Sequence, residues 1–380
     1  MDLDLARERL ESSVDFTIGL EEEFAIVDPR TLELEHRFED VYAACQADEV
    51  LAESAAGELI ASEIEIRSGR AESFAEAVAM QRERRDRLFA LVAGMGLALG
   101  ATGTHPWADY REQRIIDTPH YNRLRRELGW VAQRNNTWSL HLHMGIRGAD
   151  RAIAVCDRLR QDLPLLLAVS ANSPFLDRRD SGLHSVRTEI FTRTFPRCGI
   201  PSPFGDWATY ADFVDLLVRT NTVIESTQLW WSVRPHHRFG TVEVRICDAQ
   251  TRGDESFGLA ALIAACVAQA AIEYDEGGGG PLFADREIEE NLWRAIRHGM
   301  SGRQIDFRAE AEVEARAALE ALLARTEPAR SQLGLEVDLP EQNGAQRARE
   351  ALDAGVSIED IYRDALAETQ RTYTGAKQAA

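Results

Sequence analysis

The stretch Thr241–Gln250, TVEVRICDAQ, decides how the rest of the chain is read. Val242, Val244 and Ile246 alternate with Glu243, Arg245 and Cys247. That is the period of two of a strand with an apolar face and a face bearing an acid, an arginine and a thiol. The same design recurs upstream. In Phe16–Val27 (FTIGLEEEFAIV), Glu21 and Glu23 share a face; in Glu58–Arg67 (ELIASEIEIR), Glu63 and Glu65 stand opposite Ile64 and Ile66. In Leu140–Ile146 (LHLHMGI), His141 and His143 alternate with Leu140, Leu142 and Met144. Strands that each carry a polar pair two residues apart predict one sheet, apolar behind and ionisable in front.

Outward from these strands, helical spacing over Ser73–Val92 and the good helix formers there predict a helix. Residues 1–15 read as a polar lead-in, Leu97–Thr104 as a buried strand, and Tyr121–Arg134 as a helix leading to the histidine strand. Asp150 is the expected N-cap of a helix Arg151–Ala171 that Pro164 should kink. Residues 172–206, rich in Ser, Pro, Gly and Arg, read as a binding loop, since bare connectors of that length are uncommon. Ala208–Glu225 and Ser256–Glu273 are expected helices and Leu229–Arg234 a strand. His236–Gly240 should turn a hairpin, and Gly277–Gly280 should be a link. From Asp285 onward only helices are expected, at Ile288–Gly299, Ala309–Arg325, Gln346–Ala354 and Ile358–Tyr373. Strands and helices do not alternate regularly, so the expected class is α+β.

The 380 residues are 44% hydrophobic and carry a net charge of −20. A core of useful size is available, and a nucleic-acid partner, which needs a basic patch, is not expected. The five cysteines are scattered without Cys-x-x-Cys spacing, which argues against a disulfide framework or structural zinc. The N-terminus has no basic start followed by an apolar run, and Leu259–Ile272 is too short and alanine-rich for a membrane span. A cytoplasmic protein without a membrane partner is the expectation.

Glu21, Glu23, Glu58, Glu65 and Glu243 would bring five carboxylates together with His141 and His143. Carboxylates that close repel and raise one another's pKa values unless a cation intervenes. An oxygen-rich set suits Mg2+ or Mn2+ better than zinc, and Mg2+ held by few carboxylates completes its shell with phosphate oxygens. Arg245 on the same strand face then points to nucleotide chemistry, with the guanidinium offsetting charge on a moving phosphoryl group. No Walker or dinucleotide glycine loop is present. A metal-dependent amidohydrolase and a non-catalytic nucleotide-binding protein are the alternatives.

Six blocks occur in one order: GLEEEF at Gly19–Phe24, GTHPWADYREQ at Gly103–Gln113, HLHMG at His141–Gly145, SGLHSVR at Ser181–Arg187, GTVEVRICDAQT at Gly240–Thr251 and NLWRAIRHG at Asn291–Gly299. Together they resemble the carboxylate–amine ligase family, the bacterial glutamate–cysteine ligase type 2 group, over nearly the whole chain. The resemblance implies a glutamine-synthetase-like fold spanning 1–380 as a single catalytic domain. Its curved, mainly antiparallel sheet would carry the active site, with helices outside and 285–380 as a helical extension. It implies ATP and Mg2+, small-molecule substrates (an amino-acid carboxylate and an amine), an acyl phosphate, and a homodimer as an open expectation. By motif position Glu21, Glu23, Glu58, Glu65, His141 and Glu243 match metal-binding positions, and Arg245 the arginine after the last acid. Arg187 matches the substrate loop; Arg234 and His143 are assigned to the nucleotide. Trp138-Ser139 stand where relatives carry Cys-Gly, and Glu63 where they often carry glutamine, so the amine is not fixed by the resemblance.

Overall fold

Alternating faces along the chain are what the strands use to assemble. A computed structural model describes residues 2–278 and 280–374, so Gly279 of the expected glycine link lies outside the described residues. The strands are β1 (Ile18–Val27), β2 (Ala55–Ala56), β3 (Glu63–Arg67), β4 (Ala98–Gly100), β5 (Ser139–Gly145), β6 (Phe175–Leu176), β7 (Arg179–Asp180), β8 (Val233–His236), β9 (Thr241–Asp248), β10 (Arg303–Asp306) and β11 (Ala311–Glu314). Seven of them form one antiparallel sheet in the order β2-β3-β1-β5-β9-β8, with β4 also pairing with β1. The expected α+β class and antiparallel sheet hold.

The apolar face packs against helices. Leu140, Leu142, Met144, Val242 and Val244 meet helices Ala149–Leu159, Leu163–Ser170 and Gly253–Asp275 in one continuous core. Phe24, Ile26, Ile64 and Ile66 meet Leu88, Phe89 and Val92 of helix Phe74–Gly94. That helix starts where Ser73 accepts the backbone N–H of Glu76 at 3.2 Å, a cap that answers one otherwise orphaned donor. Helix Gly253–Asp275 is longer than its periodicity suggested. It is apolar and long enough to span a membrane, yet 89% of its apolar window is buried within the protein. Its alanines let it pack centrally. Glu22 is the one acid of β1 that points backward, and it is buried as an ion pair with Arg85. Ser256 donates to it at 2.6 Å, and the rings of Phe257 and Tyr373 lie 3.7 and 4.4 Å from the Arg85 guanidinium.

Several local expectations give way. Leu3–Glu11 is a helix capped by Asp2, not a lead-in; only Ala6 and Leu10 are buried in it, too few to stand out among charges. Pro164 breaks the expected long helix, because it occupies the first turn of a separate helix Leu163–Ser170, where its missing N–H costs nothing. The first of the two helices is preceded by Gly148, and Asp150 instead accepts the N–H of Trp207. The 172–206 stretch holds the β6–β7 hairpin and helix Val186–Thr194. The region after Asp285 is not wholly helical, since β10 and β11 form a hairpin of mostly polar residues there. Gly240 closes the β8–β9 turn at φ +65°, and a Cβ on it would sit 2.6 Å from the Arg9 carbonyl. That hairpin is therefore seated on the N-terminal helix.

Candidate active site

Register places the ionisable residues side by side. Across β1, Glu23 stands opposite Glu65 and Glu21 opposite Arg67; on the other side Glu21 stands opposite His141, and His143 opposite Glu243. Directly opposed residues on one face bring their side chains into contact range. Three sets of donor atoms result, each with all members within 4.8 Å: Glu21, His143 and Glu243; Glu21, Glu65 and His141; Glu23, Glu58 and Glu65. Glu58 joins from the turn between β2 and β3 and is half-buried; the others are buried. All six expected metal positions, and His143 with them, thus converge on one groove.

The charges divide the groove in two. At one end Glu23 is pushed up to about 7 by burial and by Glu65, against the pull of Arg187 and Ser139. Burial, Glu65 and Glu23 lift Glu58 well above the usual carboxylate range, and Glu65 is raised chiefly by burial despite Arg67. At the other end burial is outweighed. His143, His141 and Arg67 bring Glu21 well below its ordinary value, and Arg234, Arg245 and His143 do the same for Glu243. Burial and Arg245 lower His141 to about 3, so its imidazole is neutral and free to act as a ligand. A cluster with more buried carboxyls than cations is what a divalent ion relieves, and these hard oxygen donors fit Mg2+.

The arginines differ in how they are held. Arg245 pairs with Glu243 and approaches His141 at 3.5 Å. Arg234 donates to Glu243 at 2.7 Å and to the carbonyls of Thr227 and Leu229 at 3.1 and 2.6 Å, so it braces Glu243. Arg187 opens helix Val186–Thr194 and donates to the carbonyls of Ile246 and Arg245 at 3.1 and 3.3 Å. It lines the acid-rich end with Glu23, Glu58, Asn135, Phe191 and Trp230.

Three further residues belong here. Arg67, bound to Glu65 and 3.4 Å from Glu21, continues the alternation of Glu63 and Glu65, a signal present in ELIASEIEIR. Ser139 donates its N–H and Oγ to Glu23 at 2.6 and 2.5 Å and lies 2.8 Å from His141 Nε2. Glu63 is fully buried with neither oxygen hydrogen-bonded among the described residues, and burial with Glu23, Glu58 and Glu65 raises its pKa well above the usual range. Cys247 is a correction. Leu142 opposes Val244 while Leu140 opposes Cys247, so β9 carries a bulge with Arg245 and Ile246 both facing His141. The bulge reverses the alternation and sends Cys247 into the apolar core.

The main groove encloses about 290 Å³, and a cavity of about 390 Å³ continues it past Glu21, Arg67 and His143 to Arg9, Arg70, Arg238 and Phe239. Arg9 and Arg238 have no carboxylate partner among the described residues, and Phe239 is 47% exposed, its ring stacked on His236 at 4.4 Å.

Residues 17–377 match the model of glutamate-cysteine ligase family 2. A protein of Rubrobacter xylanophilus, "Putative glutamate--cysteine ligase 2-2", is 38% identical over 359 residues, 93% of this chain and 91% of its own. "Putative glutamate--cysteine ligase 2" of Sorangium cellulosum is 38% identical over 344 residues, 90% of each chain. Among solved structures, the glutamate–cysteine ligase of Francisella tularensis in complex with AMP shares the fold at a TM-score of 0.67 and 11% identity, over 97% of this chain and 90% of that one. A bifunctional glutathione synthetase from Pasteurella multocida does so at 0.68 and 12% identity, over 97% of this chain and 54% of that one. The chain therefore belongs to glutamate-cysteine ligase family 2, and it is an ATP-dependent carboxylate–amine ligase.

Proposed function

We propose that this ligase joins the carboxylate of glutamate, or of a similar amino acid, to an amine through an acyl phosphate, with Mg2+ held on the concave face of the sheet. The convergence of Glu21, Glu23, Glu58, Glu65, His141 and Glu243 supports the reading most strongly. Bound Mg2+ would offset charge on the phosphate oxygens of ATP. The nucleotide lies toward Arg9, Arg238 and Phe239, where guanidiniums without a carboxylate partner among the described residues and an exposed phenylalanine suit a polyphosphate and a base. The amino-acid substrates lie toward Glu58, Asn135, Arg187 and Trp230. The AMP carried by the Francisella relative agrees with a nucleotide in this fold.

Chemically, the substrate carboxylate oxygen attacks the γ-phosphorus and ADP leaves. The amine nitrogen then attacks the acyl carbon, phosphate departs, and the nitrogen loses a proton. Arg245, beside Glu243, is placed to neutralise the transferring group, and His143 to contact it from β5. Positioning and electrostatics carry most of such a transfer.

The test is an ADP-release screen of amino acids against amines with Mg2+. ADP should form with particular acid–amine pairs, one amide appearing per ADP. Amide hydrolysis without ATP would replace this reading with an amidohydrolase. Nucleotide binding without ADP release from any pair would leave a binding protein.

A further inference from the structure

The β9 bulge has a second effect, on Asp248. By plain alternation Asp248 would share the apolar face of Val242 and Val244. The extra residue puts it on the ionisable face instead, opposite Ser139, the serine that donates to Glu23. There it is fully buried and gathers a separate part of the chain. The backbone N–H of Asn172 donates to it at 2.9 Å, the Ser173 hydroxyl at 2.6 Å and the Ser185 hydroxyl at 2.9 Å. Asn172 and Ser173 share Oδ2, while Arg187 Nη1 lies 3.5 Å from Oδ1, the oxygen that Ser185 binds. Ser173 Oγ in turn accepts the N–H of Arg187 at 3.2 Å, and Ser185 is the N-cap of the helix that Arg187 opens.

A charged acceptor bound by several donors in a buried site is strong and directional. Here its partners all precede Arg187 in sequence, at 172–173 and at 185, and the Arg187 guanidinium is also fixed to the carbonyls of Arg245 and Ile246, the bulge residues themselves. The backbone distortion and the carboxylate therefore form one clamp around one arginine. Its free Nε is buried with no hydrogen-bond partner among the described residues, and its side chain lines the groove with Glu23 and Glu58.

We propose that Asp248 is a positioning residue that clamps the 172–187 segment to the end of β9 and so aims Arg187 at the carboxylate substrate. The inference rests on the ligase reading above. Asp248 touches no substrate and acts through Arg187 alone.

The experiment is a double-mutant cycle on the full-length protein, with wild-type ADP release measured alongside. Asp248→Asn swaps one acceptor oxygen for a donor and should lower kcat/KM for the carboxylate substrate on the order of 100-fold, the size expected when a positioned group shifts by about 1 Å. The loss should fall mainly in KM for that substrate, leaving KM for ATP near the wild-type value. Arg187→Ala should lose at least as much, and the double variant no more than Arg187→Ala. Equal loss in both KM values, or losses that multiply in the double variant, would overturn the proposal. If Asp248→Asn does not fold, Ser185→Ala removes a single donor and should raise the same KM several-fold; an unchanged KM there would also overturn it. A wild-type enzyme that forms no ADP with any acid–amine pair would remove the ligase reading instead, and this inference with it.

Discussion

Glu21→Gln is expected to reduce turnover on the order of 1,000-fold while leaving the protein folded. Glu21 belongs to two of the three donor sets, touching His143 and Glu243 in one and Glu65 and His141 in the other. Only Glu65 shares that double membership among the described residues, joining the second set to Glu23 and Glu58. Glutamine keeps the volume and one acceptor oxygen but removes the charge that a divalent cation needs. Stabilisation of phosphoryl charge by a bound metal is worth several kcal/mol, and about 4 kcal/mol corresponds to about a 1,000-fold change in rate. The fold should tolerate the change, because Arg67 keeps its bond to Glu65 and the flanking β1 core residues are untouched. Steady-state ADP release and thermal unfolding of the same preparation check both halves. Turnover within a few-fold of wild type would remove Glu21 from the site.

Glu243→Gln should be equally damaging to turnover and more costly to the fold than Glu21→Gln. Glu243 is the counter-ion of two guanidiniums at once, Arg234 and Arg245. Removing one partner of a buried ion pair leaves an uncompensated charge and costs about 3–5 kcal/mol. Arg234 retains the carbonyls of Thr227 and Leu229, which places the expected loss near about 3 kcal/mol, the low end of that range. The sign with pH follows from the direction of the shift. Burial opposes ionisation of Glu243, yet Arg234, Arg245 and His143 hold its folded pKa well below the ordinary value. Its contribution is therefore complete above the unfolded carboxyl pKa of about 4.3 and is lost as pH falls through the lower folded value. Urea titrations should show the wild-type advantage in full at pH 7 and shrinking below about pH 4. An advantage that is absent at pH 7, or that grows on acidification, would contradict the ion-pair geometry.

Much of this groove was legible in the chain because strand alternation is a local property. Glu21 and Glu23, His141 and His143, and Glu243 with Arg245 each needed only a period of two to be placed on one face, and the pairing of β1 with β3 and β5 then brought them together. Helix Ile358–Tyr373 was equally plain, since its inward residues Tyr362, Leu366, Thr369 and Tyr373 keep helical spacing. Where a single residue changed the register, alternation misled. A count of two puts Cys247 on the charged face and Asp248 on the apolar one, because one bulged residue in β9 is invisible to it. The β10–β11 hairpin escaped because RQID and AEVE offer almost no apolar face against which a strand pattern could register. Arg67 was within reach, one further step along the alternation that gave Glu65. Arg234, assigned to the nucleotide, also donates to Glu243 and two carbonyls, contacts which no local pattern reveals.

The direct test of a metal-centred groove is anomalous diffraction from crystals grown with Mn2+ and a non-hydrolysable ATP analogue. Manganese peaks are expected between β1, β3, β5 and β9, ligated by Glu21, His141 and Glu243 at one end and by Glu23, Glu58 and Glu65 at the other, with the analogue's phosphates adjoining them. Full nucleotide density with no manganese among these side chains, or manganese only at the outer surface, would contradict it.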